Sequence, residues 1–78
     1  MDDLFIEIRP IIAKRLRLAE ERVVMSANFR DDFGADSIDL VELVMTLESI
    51  YEVEFSDEIV EEITTVAEAV EYLAKLLK

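Results

Sequence analysis

The sequence predicts an all-α protein, a small four-helix bundle built from three longer helices and one short helix. Two observations lead there. The 78 residues include one glycine and one proline, too few turn formers for a strand-rich fold. Apolar residues recur at three- and four-residue intervals instead of alternating, which is the helical period.

The first helix is expected from about Asp3 to Arg17, because Leu4, Phe5, Ile8, Ile11, Ile12 and Leu16 fall on one stripe. Pro10 interrupts it and cannot donate to the carbonyl four residues back, so the spacing predicts a bend there or a helix that begins in earnest near Pro10. A long connection follows over residues 18–35. Val23, Val24, Met25, Phe29 and Phe33 supply apolar anchors that would hold it on the bundle, and connections of this length are usually functional.

The second helix is expected over Ser37 to Tyr51, with Asp36 as its N-cap. Gly34 supplies the tight turn that exposes the start of this helix. At about 100° per residue, Leu40, Leu43, Val44, Leu47, Ile50 and Tyr51 share the core face. Ile38, Val41 and Met45 form a second apolar stripe on the opposite side. One core cannot bury both, and the second stripe, flanked by Glu42, Glu48 and Glu52, has the composition of a docking surface rimmed by charge. A short helix from Asp57 to about Glu62 is capped by Ser56, with Asp57 and Glu58 at its positive end. Thr65 and Glu68 have capping-box spacing. Val66, Ala69, Val70, Leu73 and Leu76 or Leu77 then make the core stripe of the last helix, with Lys75 and Lys78 near its negative end.

Charge is uneven along the chain. Six basic side chains in residues 1–30 (Arg9, Lys14, Arg15, Arg17, Arg22, Arg30) balance five acids, whereas from residue 31 onward fourteen acids meet only Lys75 and Lys78, for a total of −11. Such a surface repels phosphate backbones, which argues against nucleic-acid binding, and attracts proteins with basic docking patches. Crowding of these carboxylates is expected to raise some of their pKa values. No apolar run approaches the ~18 residues of a membrane span, and Met1-Asp2-Asp3 lacks the basic start of a signal peptide. A single domain over residues 1–78, cytoplasmic, monomeric and not inserted in a membrane, is the expectation.

The chain has no histidine and no cysteine, so neither a serine–histidine nor a cysteine–histidine pair can be assembled. An enzyme is therefore the weakest reading, and Ser37 is better read as a substrate than as a catalyst. A calcium module is a stronger rival, because Asp31, Asp32, Asp36 and Asp39 cluster in sequence. They lack the alternating Asp-x-Asp-x-Asp-Gly spacing and terminal glutamate of an EF-hand loop. No dedicated metal site is expected, only weak divalent binding there and at Glu48, Glu52 and Glu54. An acidic helical interaction module that is never modified is a further alternative.

The run Asp32-Phe33-Gly34-Ala35-Asp36-Ser37-Ile38-Asp39 resembles the prosthetic-group site of the acyl carrier proteins, with Phe33 where leucine is usual. Val41-Glu42-Leu43-Val44-Met45 and Glu62-Ile63-Thr64-Thr65-Val66 look like further family segments, so the resemblance spans nearly the whole chain. It implies the carrier fold and attachment of phosphopantetheine from coenzyme A to Ser37, flanked by Asp36 and Ile38, by a phosphopantetheinyl transferase. The arm's thiol would carry acyl chains as thioesters, which fits the absence of cysteine. Partner recognition would fall to Asp36, Ile38, Asp39, Val41, Glu42, Met45 and Glu48, and the partners implied are basic-surfaced enzymes of fatty-acid synthesis. Phe29, Leu47, Tyr51, Phe55, Ile63 and Ala69 are candidates for lining an acyl pocket. Phe55-Ser56 stands where many relatives have Ile-Pro, and Arg17 where Gly is frequent. Ala35-Asp36 disfavours peptidyl carriers, and the run looks most like bacterial-type fatty-acid carriers; a specialised polyketide or D-alanyl pathway is the alternative.

Overall fold

Ile8 and Ile12 stand one helical turn apart and are completely withdrawn from solvent, which explains how the chain keeps a helix through a proline. In the computed structural model, which describes residues 2–77, the first helix, α1, spans Asp2–Leu16 with Pro10 inside it. A helix that begins near Pro10, one of the two outcomes expected, is not what forms. An interior proline costs about 3 kcal/mol, while burying one isoleucine contributes ~1.5–3 kcal/mol. Ile8 and Ile12 together offset the loss, and Ala13 is buried beside them. Arg17 then takes the left-handed conformation (φ 60°) that ends the helix, and the Leu18 N–H reaches back to the Ala13 carbonyl at 2.8 Å.

The connection contains one 3₁₀ turn, Glu20–Arg22, and is held by its buried anchors. Val23 and Phe29 are fully buried, whereas Val24, also expected to anchor, is exposed. It lies next to Val23 on an extended stretch, where neighbouring side chains point to opposite sides. Backbone bonds then staple the connection to the far end of the chain. Phe29 N–H donates to the Thr64 carbonyl (2.9 Å), Val66 N–H to Ala27 (3.0 Å) and Ala67 N–H to Met25 (2.9 Å).

The second helix, α2, spans Ser37–Tyr51, and Leu40, Leu43, Val44 and Leu47 form its buried face. Ile50, expected in that face, is instead 53% exposed. It sits at the margin of the stripe, in an open groove shared with Ile11, Lys14 and Thr46. The other stripe is solvent-facing as the pattern requires: Ile38, Val41 and Met45 are all exposed.

The short helix α3, Asp57–Glu62, is capped by Ser56, whose hydroxyl accepts from Ile59 N–H, and contributes no fully buried residue. The last helix, α4, spans Val66–Leu76 behind a Thr65–Glu68 capping box and buries Val66, Ala69, Val70 and Leu73. Leu76 is partly buried and Leu77 exposed; Lys78 lies outside the described residues. The core joins Ile8 and Ile12 of α1, the leucines of α2, Phe29 and the α4 stripe into one cluster. The light attachment of α3 leaves clefts along its junction with α2.

Candidate functional site

The site begins with the turn that delivers the chain to α2. Asn28 Oδ1 accepts from the backbone N–H groups of Arg30 (2.9 Å) and Asp31 (3.0 Å), and the Asp32 carboxylate accepts from Asn28 N–H at 2.6 Å. Gly34 N–H closes the turn on the Arg30 carbonyl at 3.0 Å. Gly34 itself is left-handed (φ 68°), a conformation that glycine adopts without steric cost. Phe33 packs edge-on against Phe29 with ring centroids 5.9 Å apart, so the aromatic that replaces the usual leucine still anchors the turn.

At the head of α2 the capping work is done by two carboxylates. Asp36 Oδ1 accepts from Asp39 N–H (2.9 Å) and Asp39 Oδ2 accepts from Asp36 N–H (3.1 Å). This reciprocal box satisfies helix-end donors that a serine often serves. Ser37 is exposed, and its Oγ takes no part in the box. It accepts instead from Arg30 Nη2 at 3.0 Å. Sequence reasoning missed this arginine. The available signal was that Arg30 is the only basic residue between Arg22 and Lys75.

A cleft of about 130 Å³ opens beside Ser37, bounded by Arg30, Leu40, Val41, Val60, Ile63 and Thr64. A second, of about 380 Å³, lies between α2 and α3 and is lined by Val41, Val44, Met45, Phe55 and Val60 among others. The two share Val41, Val60 and Glu61. Of the residues considered for an acyl pocket, Ile63 borders the first cleft and Phe55 the second. Phe29, Leu47 and Ala69 lie in the closed core, and Tyr51 faces α1, donating its hydroxyl to Glu7 Oε1 at 2.8 Å.

The residues considered for partner contact divide. Ile38, Val41 and Met45 share one exposed face with Glu48 at its edge. Glu42 lines the groove with Lys14, Arg15 and Arg17 on the α1 side. Glu48 has a second commitment, since its Oε2 accepts from Phe55 N–H at 2.7 Å.

Among the described residues no group of three or more acidic side chains is placed to hold a metal ion. Four of the carboxylates considered for weak divalent binding, Asp32, Asp36, Asp39 and Glu48, already accept from backbone amides.

The arrangement suits a covalent prosthetic group on a serine. A primary hydroxyl is exposed at a fixed point, it is not needed as a cap, a cation stands beside it, and an apolar cleft leads away. Among the described residues no helix is long and apolar enough to cross a membrane. Residues 7–73 match the model of the family described as the phosphopantetheine attachment site. The chain is also similar to the solved structure of the acyl carrier protein from Enterococcus faecalis, at 33% identity and a TM-score of 0.78, over 96% of this chain and 95% of that one. On the site geometry, the family match and the shared fold together, the chain belongs to the acyl carrier proteins, which are carriers rather than enzymes and bear a covalently attached phosphopantetheine.

Proposed function

We propose that Ser37 is the attachment point and that residues 1–78 form a single acyl-carrier domain serving fatty-acid synthesis. One observation carries the assignment: Asp36 and Asp39 cap α2 between themselves, leaving the Ser37 hydroxyl exposed. When bound, phosphopantetheine supplies a terminal thiol on which acyl groups are held as thioesters. The protein's own contribution is to hold the serine at a rigid helix start and to shelter what is attached. Asp36 and Ile38 flank the attachment point, Asp36 as the cap and Ile38 as an exposed apolar contact for the transferase.

The clefts along α2 and α3 support an acyl path that starts beside Ser37 and runs past Val41 and Val60 toward Phe55, with Ile63 at its first bend. Phe29, Leu47, Tyr51 and Ala69 would line its deeper end only after the core between them opens. The exposed Ile38, Val41 and Met45, with Asp36, Asp39, Glu42 and Glu48 around them, support a docking face for basic-surfaced synthesis enzymes. A monomeric cytoplasmic carrier is the working state in this reading. The Asp36-Ser37-Ile38-Asp39-x-Val41-Glu42-Leu43 run favours the fatty-acid class over a polyketide or D-alanyl carrier.

Intact mass before and after incubation with coenzyme A and a phosphopantetheinyl transferase tests the attachment. The parent gains one phosphopantetheine; Ser37→Ala stays folded and gains none. Modification of the variant would rule Ser37 out.

A further inference from the structure

We propose that Arg30 is the phosphate-binding residue of the prosthetic group: the guanidinium that now holds Ser37 Oγ pairs with the phosphodiester once the arm is attached there. The inference rests on Ser37 as the attachment point and adds a role for a residue outside the attachment motif.

Four observations carry it. Arg30 Nη2 is already 3.0 Å from the atom that would bear the phosphorus. The backbone that launches the side chain is fixed, because Arg30 N–H donates to Asn28 Oδ1 and its carbonyl accepts from Gly34 N–H. Arg30 and Ser37 border the same small cleft, along which the arm would leave. Among the described residues, Arg30 is the one basic side chain lining that cleft, with Glu61 on its facing wall and Asp36 and Asp39 at the helix start.

The chemistry gives the exchange a direction. A guanidinium presents five donors in a planar fork, and a neutral hydroxyl uses one of them weakly. A phosphodiester offers anionic oxygens in a geometry that the fork matches, and charge-assisted bonds of this kind are roughly twice as strong as neutral ones. The same side chain therefore changes acceptor on modification without moving far. A lysine would retain the charge and lose the fork.

The test compares phosphopantetheine-loaded parent, Arg30→Gln and Arg30→Lys by phosphorus NMR at low salt and at about 1 M salt, where the Debye length is about 3 Å. The Arg30 Nε–H resonance of the parent is followed before and after loading. Backbone amide spectra confirm that the variants, altered at an exposed side chain, keep the fold. The expected result is a phosphorus resonance in the parent displaced from that of Arg30→Gln, an intermediate position for Arg30→Lys, convergence of all three at high salt, and a shifted Arg30 Nε–H on loading. Coincident phosphorus resonances at low salt, with Arg30 Nε–H unmoved by loading, would overturn the pairing while leaving the carrier assignment intact. Failure of the parent to gain any arm at Ser37 would overturn both.

Discussion

Glu48 Oε2 accepts the backbone N–H of Phe55 at 2.7 Å, tying the last turns of α2 to the segment that leads into α3. Glu48, assigned to the proposed docking face, thus also braces one wall of the α2–α3 cleft. Glu48→Ala leaves a part-buried amide without its acceptor and is expected to lower stability by about 1 kcal/mol, whereas Glu48→Gln keeps an acceptor and stays near the parent. Urea denaturation of the two variants separates bracing from charge; equal losses would mean that the hydrogen bond contributes nothing.

Across the bundle, Tyr51 meets Glu7. Burial, then the hydrogen bond to Glu7 and its negative charge, push the Tyr51 hydroxyl up from 10.0 to about 12. A folded pKa raised above the unfolded one means that the stabilisation is fully present below about 10 and is lost as pH rises through about 12. Tyr51→Phe should therefore lose the part of the alkaline stability decline that falls in this window. Tyrosinate absorbance of the folded variant should show only the phase of Tyr72, itself raised by its hydrogen bond to Glu62. A parent titrating wholly near 10 would remove the contact from consideration.

Glu68 behaves in the opposite sense, and reverses at its own position the expectation that crowding raises carboxylate pKa values. Thr64 Oγ1 and the N–H groups of Thr64 and Thr65 all donate to Glu68 Oε1, at 2.6, 2.8 and 3.0 Å. The Thr64 hydroxyl bond first, and then the backbone donors, hold its pKa below 4.5. The stabilisation is present above the unfolded value and lost as pH falls through the folded one. The stability difference between parent and Glu68→Gln should thus be constant near neutrality and shrink below about pH 4.5. A difference independent of pH would show that the charge is immaterial.

Two left-handed positions give opposite outcomes. A Cβ added at Gly34 would meet nothing within 4 Å, so Gly34→Ala costs only the backbone strain of φ 68°, about 1–2 kcal/mol. Arg17 already bears that strain at φ 60°. Arg17→Gly relieves it but loosens the unfolded chain, for a net gain of roughly 0.5–1 kcal/mol. Thermal midpoints check both, at ~4–8 °C per kcal/mol for a domain of this size.

The proposed docking face makes a separable prediction. Ile38 and Met45 are 68% and 59% exposed, so Ile38→Ala with Met45→Ala should leave the thermal midpoint within about 4 °C, since surface changes stay within ±0.5 kcal/mol. Transfer of phosphopantetheine by the transferase should slow several-fold. Unchanged transfer kinetics would place recognition elsewhere. Glu42→Gln should slow transfer at low salt and lose that effect at about 1 M.

What the sequence determined by itself was whatever depends on near neighbours. Asp36, Ser56 and Thr65 are legible as caps because each bonds an N–H three residues on, and the two stripes of α2 follow from a period of 3.6 residues. The motif around Ser37 was legible for the same reason, being one continuous run. Tertiary structure decided the rest. Pro10 stays within a helix because Ile8 and Ile12 reach a core built largely by other elements. Ile50 faces a groove because α1 does not close over the margin of its stripe. Arg30 meets Ser37 only because the connection that carries it is pinned to Thr64 and Val66, more than thirty residues away in sequence. A pattern of neighbouring residues specifies which face of an element is apolar; where that face and each long side chain arrive depends on packing and backbone pairing between segments far apart in the chain.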